Sequence, residues 1–497
     1  MNGSPPVYLD YAATTPVDPA VVAVMNDCLT REGVFGNPSS AHAFGAAAAE
    51  FVERARTQVA ALIGASPDEI VFTSGATESD NLAILGGALA SADRGRHIVT
   101  MRTEHKAVLD PCRHLERMGS RVTYLTPTPS GLLSPEALAA ALRPDTVLVS
   151  VMYANNETGV LQDIATLAAL CRERGVAFHS DCAQAAGRVP LDVQRLSADL
   201  LSLTAHKLYG PKGIGALYVR RGARGLLQPL SFGGGQERGL RPGTLPVHQI
   251  AGFGAAAEIA QRRLAGEGTR LDALGARLWA GLVRLGGVHL NGQDAPRAPG
   301  ILNVSFEDVE GESLINALAG LAVSTGAACN SEARDPSYVL RALGRDSRLA
   351  ESSLRFSLGR FSTAADIDFA VTAVTRAVAS LRTLSPATGP AAQAGDWPAG
   401  ARRVSGEAGA QADGTWVRFH LLISGDNVKD ARFQAFACPH TTDTAAWLCA
   451  QLPGRTRREL IPGGPAQWAT ARAVPVEKLG RLLLVEDALR DCLTQWT

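Results

Sequence analysis

Between residues 69 and 219 the chain repeats one pattern: a short apolar run, a polar cluster at its end, then a stretch with helical spacing. Runs at 69–73, 97–101, 121–125, 146–152, 176–180, 199–203 and 214–219 read as buried strands. Helices are expected near 107–118, 135–142 and 163–173, between several of them. Runs joined by helices cannot pair as tight hairpins, so the pattern predicts an α/β fold with a mostly parallel sheet covered on both faces. Ligands of such sheets gather at the carboxyl ends of the strands. The polar clusters fall at those ends: 73–81, Glu104-His105, 155–159, 179–184 and 204–207.

One of these clusters contains Lys207, in the stretch Ser-Leu-Thr-Ala-His-Lys-Leu-Tyr-Gly-Pro-Lys-Gly at 202–213, between apolar strands. Desolvation lowers a lysine pKa and frees the amine as a nucleophile toward an aldehyde. Alone, such a residue reads more readily as a solvated loop lysine. A strand, the turn Ser74-Gly75-Ala76-Thr77 and an apolar helix to about residue 90 make an anion site, because unpaired N–H groups and the helix dipole favour a phosphate. The motif of nucleoside-triphosphate loops is absent there, so a small phosphorylated cofactor is favoured. A helix capped by Ser or Thr without a ligand explains the segment equally well. Asp181 and His105 lie at neighbouring strand ends, and Arg355 lies on a later apolar strand, 354–359. A nucleophilic lysine, a phosphate site, a carboxylate and a histidine together are what pyridoxal 5'-phosphate requires. An arginine can clamp a substrate carboxylate bidentately.

The remaining chain reads as an arm at 8–16, helices at 18–30 and 44–63, a glycine-rich loop at 231–244, and a long helix at 247–285 interrupted near Gly266–Gly268. A smaller mixed domain follows from about 300 to 381, with Cys329 among small residues on an expected loop. Residues 385–414 are rich in Ala, Gly and Pro and read as a linker. Order is expected again from Thr415, with strands at 416–423 and 431–437 and helices at 441–451, 464–469 and 476–494, a small α+β domain.

Lys+Arg and Asp+Glu are equal at 48 each, which gives no support for a nucleic-acid partner or an anionic membrane. No run of 18 apolar residues and no secretory leader pattern is seen, and the eight cysteines form no C-x-x-C pair. A cytoplasmic location is the expectation. Cys28, Cys112, Cys171 and Cys492 sit in helical patterns and are expected to pack, and His42, His114 and His179 are taken as ordinary surface or core histidines.

Residues 7 to about 382 resemble the cysteine desulfurases, fold-type I pyridoxal-phosphate enzymes of the class V aminotransferase type, in the branch that supplies sulfur for iron–sulfur clusters and thiolated RNA. The resemblance rests on segments 8–16, 36–40, 73–81, 103–108, 155–159, 206–213, 239–248 and 355–361. It implies a large cofactor domain at about 16–255, a small domain of 1–15 with 256–384, and a homodimer. Lys207 would anchor the cofactor, His105 would stack on its ring and move protons, Asp181 would pair with the ring nitrogen, and Gln184 with the ring hydroxyl. Ala76, Thr77, Thr204 and His206 would hold the phosphate end, with Thr244 reaching in from a second subunit. Asn156 and Arg355 would bind the substrate carboxylate. Cys329 would take the sulfur of L-cysteine as a persulfide, leave L-alanine, and pass the sulfur to an acceptor protein or to the tethered C-terminal domain. A thiolate is needed for that attack. Selenocysteine lyase, and a sulfur-carrier or assembly module worked by the C-terminal domain, stay open as alternatives. An aminotransferase would leave Cys329 spare.

Residues 416–497 resemble, more loosely, the iron–sulfur scaffold that partners these enzymes, through 429–433, 436–438, 474–478 and 485–489. Scaffolds of that family use three cysteines, and here Cys438 alone matches. Gly480 and Arg481 stand where a histidine-cysteine pair is expected, while Asp413 aligns with a ligand aspartate. Cluster iron favours several thiolates. Cys438 is therefore a candidate sulfur acceptor or ligand of a transient cluster, and a degenerate docking domain is the plainer alternative. No other metal site is expected.

Overall fold

The structure, a computed structural model, describes residues 5–325, 336–384, 397 and 402–496. A 7-stranded sheet runs in the order Ile70–Thr73, Gly215–Val219, Leu200–Thr204, Ala177–Asp181, Thr146–Ser150, His97–Met101, Arg121–Leu125. All its strands run parallel except Gly215–Val219, which is antiparallel to both neighbours. Alternation along each strand divides its side chains between two cores. Leu201, Leu203, Ala216 and Tyr218 pack with helices Ala43–Leu62 and Val247–Leu282 on one face. Leu200, Leu217, Ile98 and Leu148 face the other way, against the Ala76–Ala90 helical run and Lys106–Arg117. Because both faces are covered, the inner strands need apolar residues at nearly every position, and they read as continuous runs in the sequence.

Helix Val247–Leu282 is unbroken for 36 residues, contrary to the interruption expected at Gly266–Gly268. A Cβ on Gly266 would meet nothing within 4 Å. An exposed helical glycine costs only about 1 kcal/mol relative to alanine, and packing along the rest of the helix outweighs it. The helix packs on Ala43–Leu62 near its start and on Ala364–Leu384 near its end. It thus joins the 7-stranded sheet to a second unit, so a boundary drawn at 255/256 falls inside one continuous helix. That unit holds a 3-stranded antiparallel sheet of Val288–Leu290, Ile301–Phe306 and Ser353–Ser357. The N-terminal arm belongs to it: Val7–Tyr8 pairs with Leu321–Ala322, and Leu9 enters its core.

The expected linker ends earlier than Gly414. Arg402–Ala410 is a strand paired with Thr415–Ser424, which in turn pairs with Asn427–Phe436. Its alanines and glycines imitate a linker for a packing reason. A Cβ on Gly406 would fall 2.2 Å from Cys492 N and 2.4 Å from Ala488 O, so glycine is what lets helix Leu479–Gln495 lie directly on the strand. Helices Pro439–Cys449 and Pro465–Ala471 complete this C-terminal unit. It rests on the short helix Gly311–Asn316: Ser313 Oγ donates to Ala437 O at 2.9 Å, and buried Lys478 pairs with the Glu312 carboxylate. Among the described residues, no helix is long and apolar enough to cross a membrane.

Candidate active site

The strand ends of the large sheet open on one cavity of about 580 Å³. At one end, Ile70–Thr73 runs through Ser74-Gly75 into helix Ala76–Asn81, whose start carries no side-chain cap. The first amides are therefore left for an anion. Gly215 on the neighbouring strand packs so closely that a Cβ there would lie 2.6 Å from Gly75 Cα. The turn is braced from outside, since Glu78 accepts from Ser74 N at 2.6 Å and from Arg241 Nε at 3.1 Å. Ala76, Thr77, Thr204 and His206 all line this end. The His206 ring is pushed down to about pKa 4 by burial and by Lys207 and Lys212, so it is neutral at pH 7, with Nδ1 3.1 Å from Thr14 Oγ1.

Lys207 closes the short turn Ala205–Lys207 after strand Leu200–Thr204. Its amine donates to Ala12 O, which also accepts from Gln184 Nε2 at 2.8 Å, so the arm shapes the floor of the cavity. Asp181, at the end of Ala177–Asp181, accepts from Ala183 N at 2.8 Å. Burial raises its pKa, and the Ala183 amide, His105 and Lys207 oppose that rise. His105 caps helix Lys106–Arg117, with Nδ1 accepting from Ala107 N at 3.1 Å. An Nδ1 that accepts leaves the ring proton on Nε2.

At the far end, Arg355 Nη1 donates to Asn156 O at 2.9 Å, and Nη2 pairs with Asp10 Oδ1 at 2.8 Å. Asn156 is held by the turn around Asn155, whose Oδ1 accepts from Glu157 N and Thr158 N while Nδ2 donates to Thr103 O. Among the described residues, the buried atoms Asn156 Oδ1, Gln184 Oε1 and Arg355 Nε find no partner. All three residues line the cavity. Buried polar atoms are rarely left unpaired, so these are places for ligand atoms.

Two acidic residues without an assigned role in the sequence belong to this site. Asp10 is one. Asp80 is the other, fully buried on the first helix beside the cavity. Burial and the Asp181 carboxylate raise its pKa well above the usual range. His179, buried against Ser150 and Ser202, is pushed down to about pKa 3 by burial and is neutral. A group whose folded pKa is raised stabilises the fold below its unfolded pKa, and that stability is lost as pH rises. Asp80→Asn is therefore expected to gain stability over the native chain as pH rises above the usual carboxylate range. Thermal melts from that range upward check it, and a constant difference at all pH values would contradict a protonated Asp80.

Ten expected residues thus meet in one cavity: Ala76, Thr77, His105, Asn156, Asp181, Gln184, Thr204, His206, Lys207 and Arg355. Cys329 lies outside the described residues. Thr244 is exposed on its loop and is not among the residues lining this chain's own cavity. Cys438 is elsewhere and fully buried, with Sγ 3.3 Å from Thr441 Oγ1 and the Arg481 guanidinium against it. Asp413 is exposed on the turn Gln411–Asp413. Among the described residues no three His, Cys, Asp or Glu side chains are grouped to hold a metal ion. Cys28, Cys112, Cys171, Cys182 and Cys492 are buried, and burial raises each thiol pKa.

The donor set fits pyridoxal phosphate: open amides for the phosphate, a buried carboxylate for a protonated ring nitrogen, an amine between them, and unpaired polar atoms around the rim. Comparison with known proteins points the same way. Residues 7–369 match the family described as aminotransferase class V. The cysteine desulfurase IscS of Aeromonas hydrophila is 57% identical over 382 residues, 77% of this chain and 95% of that protein. That of Cronobacter sakazakii is likewise 57% identical over the same shares. Among solved structures, a NifS-like protein superposes with a TM-score of 0.70 at 36% identity, covering 76% of this chain and 100% of that one. SspA in complex with cysteine gives 0.64 at 38% identity, over 72% and 99%.

Proposed function

This chain belongs to the class V aminotransferase family and, within it, to the cysteine desulfurases, and from that membership we propose how its residues divide the work. It is a pyridoxal-phosphate enzyme whose substrate is L-cysteine. Bound, the cofactor supplies an electron sink that loosens bonds around the substrate's α-carbon. Arg355 and Asn156 hold the substrate carboxylate at the rim. Lys207 anchors the cofactor and, when displaced, holds a proton on Nζ. His105 presents Nε2 over the floor as the second proton carrier, and Asp181 keeps the ring nitrogen charged. Gln184 faces the ring hydroxyl, and Ala76, Thr77, Thr204 and the neutral His206 receive the phosphate. Cys329, as thiolate, takes the sulfur: its S–S bond forms as the substrate C–S bond breaks, and the carbon skeleton leaves as L-alanine. The observation that carries this reading is the convergence of Lys207, Asp181, His105 and Arg355 on one cavity rimmed by unpaired buried polar atoms.

The enzyme acts as a homodimer in which Thr244 enters the partner's phosphate site, and it supplies sulfur to iron–sulfur cluster assembly. Exposure of Thr244 on a loop braced by Arg241–Glu78 supports the first point. The C-terminal unit is a scaffold-like companion docked on the small domain. Its buried Cys438, beside Arg481, is closed to sulfur while docked. Holoenzyme with L-cysteine and a reductant is expected to release alanine and sulfide in equal amounts. After one turnover without reductant, mass spectrometry is expected to find one added sulfur on Cys329 and none on Cys438. Absence of alanine would overturn the desulfurase reading, and sulfur on Cys438 would overturn the closed-companion reading.

A further inference from the structure

The substrate-clamping arginine is itself clamped. Asp10 stands between two groups: its Oδ1 accepts from Arg355 Nη2 at 2.8 Å, and its Oδ2 accepts from Ser324 Oγ at 2.9 Å. Ser324 is in turn bridged through its backbone to Arg355, with Arg355 N donating to Ser324 O at 2.7 Å. Asp10 is held from its own side as well, because its backbone bridges to Ser357 and its carbonyl accepts from Tyr8 Oη at 3.0 Å. With Nη1 committed to Asn156 O and Nη2 to Asp10, the guanidinium plane is fixed. Among the described residues its buried Nε has no partner, and Arg355 lines the cavity. An arginine with 5% side-chain exposure and two fixed corners cannot swing to meet a ligand, so the ligand must come to the orientation it finds.

We propose that Asp10 is the positioning residue for substrate-carboxylate recognition: it sets the plane of Arg355 so that the unpaired edge is presented to the amino acid. The inference deepens the desulfurase reading and rests on it for the identity of the ligand. Asp10 touches no substrate atom; it acts through Arg355, and Ser324 acts through Asp10. An ionised partner gives the guanidinium a bond roughly twice as strong as a neutral one, but the orientation depends on an acceptor oxygen at that place. An asparagine keeps such an oxygen, and an alanine does not.

The test uses holoenzyme and two ligands that differ by one carboxylate, L-alanine and ethylamine, with binding read from the cofactor's absorbance. Asp10→Ala is expected to weaken L-alanine by about tenfold and leave ethylamine unchanged, a loss in the range of one charge-assisted hydrogen bond. Asp10→Asn is expected to restore most of the alanine affinity. For L-cysteine turnover, Asp10→Ala should raise KM with little change in kcat. Should Asp10→Ala lower yield, Ser324→Ala serves in its place and is expected to show a smaller loss, about twofold to threefold, confined to alanine. Equal weakening of both ligands, unchanged alanine binding, or tighter alanine binding in Asp10→Asn would each overturn the proposal, the last by making Asp10 a competing charge. Formation of alanine from cysteine by the native enzyme is scored separately, so failure of the desulfurase reading is told apart from failure of this one.

Discussion

Lys207→Ala is expected to lower kcat/KM for alanine formation from L-cysteine by at least about a thousandfold, which is about 4 kcal/mol of transition-state stabilisation. In the proposed assignment two functions leave together: the anchor of the cofactor and a proton carrier at the reacting carbon. No neighbour replaces them. Lys212, the other lysine on the cavity wall, is exposed beyond the phosphate end. Arginine at 207 would not rescue, since a guanidinium stays protonated and is no nucleophile. The fold should tolerate the change, because Ala12 O keeps its bond from Gln184 Nε2. Alanine release and cofactor content after dialysis are the measurements. Activity within tenfold of native would mean that Lys207 has been misassigned.

Arg56→Ala is expected to cost about 3–5 kcal/mol of stability, because it leaves a buried carboxylate without its counter-charge. Arg56 and Glu237 keep 5% and 1% of their side-chain exposure and meet through two bonds of 2.8 Å. Glu237 also accepts from Phe72 N at 2.7 Å, and the guanidinium lies 4.7 Å from the centre of the Phe72 ring. The natural control is Arg277 with Asp368, also doubly bonded but 54% and 55% exposed. Water already screens that pair, so Arg277→Ala should cost far less than Arg56→Ala. Urea midpoints of the two variants decide the matter, and equal shifts would refute the argument. Glu237 and Arg238 both take left-handed backbone angles, φ 45° and 58°, which non-glycine residues adopt only when held. Removing Arg56 therefore also frees the loop that carries Arg241 and Thr244, and cofactor retention should fall with stability.

How much of this could be read from residues alone follows from range. The buried strands and the polar clusters at their ends were legible because a doubly covered parallel sheet writes itself as short apolar runs. Lys207, Asp181 and His105 were legible because each sits within a few residues of such a run. Asp10 and Asp80 were not. Asp80 looks like one more polar residue of a first helical turn, and only its contact with the sheet buries it. Asp10 acquires its role from Arg355, 345 positions away in the chain. The same holds for Arg56 and Glu237, separated by 181 residues. Gly406 misled in the opposite direction: a glycine required by a helix lying on a strand looks locally like a glycine of a flexible tether.

The contacts of Glu312 with Lys478 and of Ser313 with Ala437 have a consequence for the traffic around this enzyme. Their face on helix Gly311–Asn316 is occupied by a neighbour from the same chain, whose effective concentration is on the order of millimolar when tethered by a short segment. A free protein landing there competes with a rival that never diffuses away. At micromolar concentration it must bind that face about a thousandfold more tightly than the resident does. Attachment through the same chain therefore makes this surface private, and visitors that do gain access must come to another side of the molecule.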